Sequence, residues 1–118
     1  VANLSQVRKG LAAAGLDVIV PSELEGWVSR RAFVMDFCEG FSFTDMDQLT
    51  LSGVDRTALA ARTIHAVACQ LLEIGVMSSD PHAGNLRCQV QGDRAVPVLL
   101  DFGNCIKFSE PTRLAWCQ

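Results

Sequence analysis

The chain has no uninterrupted apolar stretch of the roughly twenty residues a membrane-spanning helix requires. It has no excess of basic charge either. A net charge of −3 leaves no electrostatic footprint for nucleic acid. Its five cysteines, Cys38, Cys69, Cys88, Cys105 and Cys117, form no Cys-x-x-Cys pair, so metal-site spacing is missing. An odd, scattered set reads as free thiols in a reducing compartment, most of them acting as small core hydrophobes. The N-terminus lacks the charged-then-apolar layout of a signal peptide, though a fragment could have lost one. The first residue is Val1 rather than Met, as expected of a fragment or a processed product. Internal repeats and low-complexity segments are absent. What is present is 118 residues, 49% of them hydrophobic, enough for one globular unit at most.

The informative stretch is Ser79-Asp80-Pro81-His82-Ala83-Gly84-Asn85-Leu86, followed by Leu99-Leu100-Asp101-Phe102-Gly103-Asn104. An Asp and an Asn bracket a Pro- and Gly-bearing loop too irregular for a helix. An apolar run then delivers a second Asp into a Phe-Gly turn. Phosphoryl transfer asks for these parts: a carboxylate to orient a nucleophile and accept its proton, and oxygen ligands for Mg²⁺ on the phosphates. Mg²⁺ takes few protein ligands and completes its octahedron with phosphates and water. Asp80 and Asn85 could instead merely cap turns, as Asp and Asn often do. The order and proximity of the two phrases weigh against that, because together they match the second half of the protein-kinase signature set.

The surrounding chain predicts elements that would carry this loop. Leu4, Val7 and Leu11 are spaced for a helix ending at Gly15. Leu16 to Val20 reads as a strand broken by Pro21, and Ser22 to Gly26 as a turn-prone link. Trp27-Val28 and Ala32 to Met35 read as a buried hairpin partner, with Trp27 and Phe33 in the core. Thr44-x-x-Asp47 has the layout of a capping box opening a short helix. The longest helix is expected over about Asp55 to Ile74, with Ala60, Ile64, Val67, Leu71 and Ile74 as its apolar stripe and Gly75 as its stop. Arg56 and Arg62 fall off that stripe and should be solvated; His65 adjoins it without a partner. His82, inside the loop, is expected mainly to brace it. Leu86 to Val90 and Ala95 to Leu100 form a hairpin around Gly92-Asp93, with Pro97 at an edge or a bulge. This hairpin would return Asp101 beside Asn85. In the tail, Ile106, Phe108, Leu114 and Trp116 should pack as core.

The phrases Val34-Met35-Asp36-Phe37…Gly40, Asp80-Pro81-His82-Ala83-Gly84-Asn85 and Leu99-Leu100-Asp101-Phe102-Gly103 occur in that order. In this the chain resembles the UbiB/ADCK-type, or aarF-domain, atypical protein kinases. The resemblance implies an α+β protein-kinase-like fold, mainly the helical C-lobe with the hinge. Residues 1–35 would be an N-lobe remnant holding its last strands and the end of the αC-like helix, 36–43 the hinge, and 44–118 the C-lobe portion. It implies ATP and Mg²⁺ as cofactors, with Asp80 as the catalytic-loop carboxylate and Asn85 and Asp101 as metal ligands. Met35 would be the gatekeeper of the adenine pocket, and the Asp36 carbonyl and Cys38 amide the hinge contacts to adenine.

The family usually carries His where this chain has Ser78, a second Pro where it has Ala83, and an apolar floor under adenine where it has Arg87. A phosphate-gripping strand Lys, its helix Glu partner and the family's Lys-x-Gly-Gln segment are absent from these residues, so the chain alone should be nearly inactive. Its partners would be ATP, the remaining N-lobe of the same domain, and quinone-biosynthesis proteins or lipid. The resemblance links the parent to ubiquinone or related isoprenoid-quinone metabolism in mitochondria, plastids or bacteria. Two alternatives stay open: a pseudokinase-like nucleotide-binding scaffold without catalysis, favoured by Ser78 and Arg87, and a small-molecule phosphotransferase. Pro81-His82 and Phe102 argue against the latter.

Overall fold

Helix α1 (Ala2–Ala13) forms where Leu4, Val7 and Leu11 fall on one face, and all three are buried. Gly15, at φ +69, ends it in the left-handed conformation that residues with a Cβ resist. The computed structural model describes all 118 residues. The strand expected over 16–20 does not form; Ile19 makes only an isolated parallel bridge to Val98. Strand β1 (Glu23–Val28) takes in the expected Trp27-Val28 and extends back over the stretch expected as a turn, pairing antiparallel with β2 (Phe33–Met35). Gly26, at φ +82, lies where the register of that pair shifts, so it makes a bulge rather than a turn.

Trp27 and Phe33, expected in the core, are 69% and 40% exposed. The physical reason is that a two-stranded ribbon buries neither of its own faces, and this one contributes nothing to either core cluster.

Strand β3 (Phe41–Ser42) leads into helix α2 (Met46–Leu51). Its cap is Asp45, whose carboxylate accepts the Gln48 N–H, not Thr44. Asp is the better capping residue, and the Thr44 hydroxyl pairs with that of Ser42 instead. Helix α3 (Arg56–Cys69) opens on Asp55, which accepts the Ala58 N–H, and runs on into a π turn (Gln70–Ile74) closed by Gly75 at φ +72. Its length is as expected, but its buried face is not. Leu59, Ala66, Cys69 and Gln70 are buried, whereas Ile64 of the expected stripe is 68% exposed. Close packing selects the small residues: α3 lies on the sheet and α1 on the π turn, so near that a methyl on Gly10 would overlap Ile74. Arg62, expected to be solvated, is half-buried and held by partners. It donates to the Ala95 carbonyl at 3.0 Å and stands 3.7 Å from the Asp17 carboxylate, which also pairs with Arg94 at 2.9 Å.

Strands β5 (Leu86–Gln91) and β6 (Arg94–Leu99) pair in continuous antiparallel register from Leu86↔Leu99 to Gln91↔Arg94. The sheet order β3-β5-β6 leaves Pro97 on an edge strand, where its missing N–H removes no ladder bond. Strand β4 (Val76–Ser78) pairs with β7 (Cys105–Lys107), and α4 (Glu110–Trp116) follows. Of the tail residues expected in the core, Phe108 is half-buried, edge-on to Trp116, while Ile106, Leu114 and Trp116 are exposed. The architecture is α+β: four helices around three small antiparallel sheets. The larger core cluster joins Leu4, Val7 and Leu11 of α1 to Ala66, Cys69, Val76, Leu99 and Phe102, which anchors both ends of the Asp80–Asp101 segment. No helix is long and apolar enough to cross a membrane.

Candidate active site

Two short antiparallel pairings shape the loop. Ser78 is the last residue of β4, and Asn85 is the last residue of a 3₁₀ turn (Ala83–Asn85) that feeds directly into β5. The loop between them is held by hydrogen bonds within itself and to Asn104 beyond the hairpin. Ser78 Oγ accepts the Asp80 N–H at 3.3 Å, and the Ser79 N–H and hydroxyl both donate to the Asn104 carbonyl. His82 Nδ1 accepts the Gly84 N–H at 2.9 Å. A neutral imidazole therefore keeps its proton on Nε2, which stands 3.7 Å from Asp80 Oδ2. A Cβ on Gly84 would lie 2.6 Å from the His82 Cε1, so a larger residue there would displace the ring.

The β5–β6 hairpin returns the chain to Asp101. Its Oδ1 accepts the Gly103 N–H at 2.9 Å, which orients the carboxylate, and its Oδ2 lies 3.4 Å from Asn85 Nδ2. Asn85 Nδ2 also donates to the Asp80 carbonyl at 3.2 Å. The Leu100 N–H donates to the Asn85 carbonyl, tying loop and turn through the backbone. Asp80, Asn85 and Asp101 thus line one cavity of about 40 Å³, whose other walls include Gln70, Ser78 and Phe102. A pair of carboxylates and an amide at one half-open cavity can hold a divalent cation or orient a hydroxyl. Nothing in the sequence pattern marks Gln70 and Ser78 as walls of this cavity, beyond, for Gln70, a polar residue among the apolar positions late in α3.

Met35, the last residue of β2, and Asp36 and Cys38 just beyond it lie elsewhere and do not line this cavity. Asp36 exchanges bonds with Ser22: its N–H donates to the Ser22 carbonyl and its Oδ2 accepts the Ser22 N–H. The Asp36 carbonyl and the Cys38 N–H carry no hydrogen bond within the chain. Burial raises the Cys38 thiol above its ordinary value, the Asp36 charge adds to that, and Arg87 opposes it. Arg87 turns its guanidinium to the Gly40 carbonyl.

The model of the ABC1 atypical kinase-like domain matches residues 1–118. The chain belongs to this family. It is 33% identical over 107 residues to the chloroplastic protein ACTIVITY OF BC1 COMPLEX KINASE 3 of Arabidopsis thaliana, covering 91% of the chain and 15% of that protein. It is 34% identical over 87 residues to an uncharacterised protein of Synechocystis, covering 74% of the chain and 12% of that protein. It is 29% identical over 90 residues to the probable protein kinase UbiB of Xanthomonas campestris, covering 74% of the chain and 16% of that protein. The chain therefore spans about a seventh of the length of these relatives. The ABC1 family match covers α1 through α4, and so includes both the Asp80 loop and the Asp101 turn.

Proposed function

We propose that this chain is the Mg-ATP-handling part of an ATP-dependent phosphotransferase or ATPase, and that Asp80, Asn85 and Asp101 carry its chemistry. The observation that supports this most is the 3.4 Å approach of the Asp101 carboxylate to the Asn85 amide, sixteen residues apart in sequence, in the same cavity as Asp80. The donor set fits Mg²⁺: hard oxygens, few in number, with open sides for phosphate and water. The Asn85 NH₂ now bonds both the Asp101 carboxylate and the Asp80 carbonyl, as a donor occupying the place a cation would take. A half-turn of the amide would present its oxygen instead. Asp101 and Asn85 would hold the metal, which would neutralise phosphate charge when bound.

Asp80 orients a hydroxyl or a water and accepts its proton, with the His82 Nε2 3.7 Å from that carboxylate. The Asp36 carbonyl and Cys38 N–H, both unspent, present an acceptor and a donor two residues apart, the pattern that reads an adenine edge, with Met35 preceding them. In this reading residues 1–35 belong to the N-lobe, 36–43 to the hinge and 44–118 to the C-lobe, and the exposed β1–β2 ribbon docks against the rest of the N-lobe. By family, the parent acts in quinone metabolism, in a plastid or a bacterium given its relatives; a mitochondrial setting is the further alternative.

The test uses the full-length protein. Asp101→Ala should abolish Mg²⁺-dependent nucleotide binding by calorimetry, and unchanged binding sinks the metal assignment. Asp80→Asn should remove turnover and leave nucleotide bound. A second reading, a nucleotide-binding scaffold without catalysis, is favoured by Ser78 in place of a bracing imidazole. It predicts bound nucleotide and no turnover in the unmutated protein.

A further inference from the structure

Arg87 is the second residue of β5, half-buried and paired in register with Ser42 of β3. Its guanidinium reaches a residue 47 positions earlier, where Nη2 donates to the Gly40 carbonyl. The next residue of β5 closes on the same glycine from its backbone, so near that a Cβ on Gly40 would overlap the Cys88 carbonyl. Just beyond, the Phe43 N–H donates to the Leu86 carbonyl at 3.2 Å. One end of the residue 36–43 segment is thus fastened to the start of β5, and the other is held where Asp36 exchanges bonds with Ser22. Between these anchors lie the Asp36 carbonyl and the Cys38 N–H, neither of them bonded within the chain. The Arg87 charge is felt there too, since it opposes the upward shift that burial and Asp36 impose on the Cys38 thiol.

Packing alone does not account for this guanidinium. Its Nε is buried without a hydrogen-bond partner, a cost that an apolar side chain of similar length would not carry. What the charge supplies is a bond of the stronger class, from a permanently ionised donor to a backbone carbonyl. Arg87 also stands two residues beyond Asn85, a span of at most about 7 Å along the chain. We propose that Arg87 is a positioning residue for the nucleotide: by clamping Gly40 to β5, it fixes the spacing between the Asp36–Cys38 backbone pair, which reads the base, and the Asn85–Asp101 pair, which holds the phosphate-bound cation. A ligand gripped at both ends gains from a spacing set in advance, whereas one gripped by its phosphates alone does not. This inference rests on the reading of residues 36–43 as the hinge and of Asn85 and Asp101 as metal ligands.

Arg87→Met in the full-length protein tests it, because methionine fills the position and cannot donate. Calorimetry compares Mg-ATP with Mg-tripolyphosphate, which carries the phosphates and no base. We expect affinity for Mg-ATP to fall about tenfold, the worth of one hydrogen bond from a charged donor, and affinity for Mg-tripolyphosphate to stay within about twofold. A residue that only stabilises the fold would weaken both ligands alike. Equal losses for the two, or wild-type affinity for Mg-ATP, overturn the proposal. In nucleotide-free protein, hydrogen exchange at the Phe43 amide should quicken as the segment loosens, and unchanged exchange overturns the clamp. If the unmutated protein binds neither ligand, or binds both alike, it is the nucleotide reading that fails, and the exchange measurement still decides the clamp. Should Arg87→Met not fold, Arg87→Gln keeps a polar end and withdraws the charge and the reach: a loss confined to Mg-ATP supports the proposal, and equal losses or none overturn it.

Discussion

Gly40→Ala adds one methyl group to the chain and should be among its most damaging substitutions. Gly40 sits at φ +121, in a region that residues with a Cβ occupy only at a cost on the order of 1–3 kcal/mol. The methyl would also overlap the Cys88 carbonyl oxygen and stand 2.9 Å from the Cys88 carbonyl carbon. Those are backbone atoms of β5, in a residue fully buried and paired with Phe41 of β3. Relief requires opening the β3–β5 ladder, losing one or two hydrogen bonds at about 1 kcal/mol each. The sum is about 2–5 kcal/mol, against a total stability of about 6–18 kcal/mol expected for a chain of this size. Gly53 and Gly92 are the internal controls. Both have positive φ, at +64 and +65, but a Cβ on either meets nothing within 4 Å. Their alanine variants should lose only about 1–2 kcal/mol, the left-handed penalty alone. Urea unfolding followed by far-ultraviolet circular dichroism separates the two cases. A Gly40→Ala midpoint equal to that of Gly53→Ala would refute the close approach of the residue 36–43 segment to β5.

Three further outcomes are expected. Arg113 donates to the Leu72 and Glu73 carbonyls at 3.0 and 2.6 Å, so Arg113→Met should uncap the π turn and cost about 1–2 kcal/mol by urea titration; an unchanged midpoint contradicts this. Trp27→Ser with Phe33→Ser should alter stability by less than about 0.5 kcal/mol per site, while reducing self-association of the isolated chain in light scattering; a large loss of stability would mean the ribbon is buried after all. Burial raises the thiols of Cys38, Cys69, Cys88 and Cys105 above the ordinary value, and the thiolate is the reactive form. At neutral pH iodoacetamide should therefore label exposed Cys117 first, and equal labelling of Cys88 would count against the fold. Because these folded thiols hold their protons longer than unfolded ones, their contribution to stability is complete below the ordinary thiol value. It is lost as pH rises through the raised values.

Much of the site was legible because its determinants are local. Asp80 and Asn85 are five residues apart in a loop whose Pro and Gly exclude a helix. Gly92-Asp93 specifies a hairpin turn, and a hairpin in register returns its far strand to its starting point. The Asp101–Asn85 approach follows from those two facts. Helix α1 was legible too, since the spacing of Leu4, Val7 and Leu11 and the stop at Gly15 need no partner to define them.

What the chain's order of residues could not decide was which surfaces meet. Helix α3 offers two plausible faces, and only the nearness of β6 and α1 selects the one with Ala66 and Cys69, leaving Ile64 outside. The β1–β2 ribbon has a core-like composition, yet burial is a property of what covers a surface, and in these 118 residues nothing does. Arg62 looked solvated because its partners, Asp17 and the Ala95 carbonyl, are remote in sequence. The β4–β7 pairing is invisible in the sequence for the same reason: it joins strands of three residues each from opposite sides of the hairpin. Local periodicity and turn chemistry set the elements and the spacing of Asp80, Asn85 and Asp101. Long-range packing, in which each contact depends on the placement of all others, chose the faces and enclosed Gln70 behind the site.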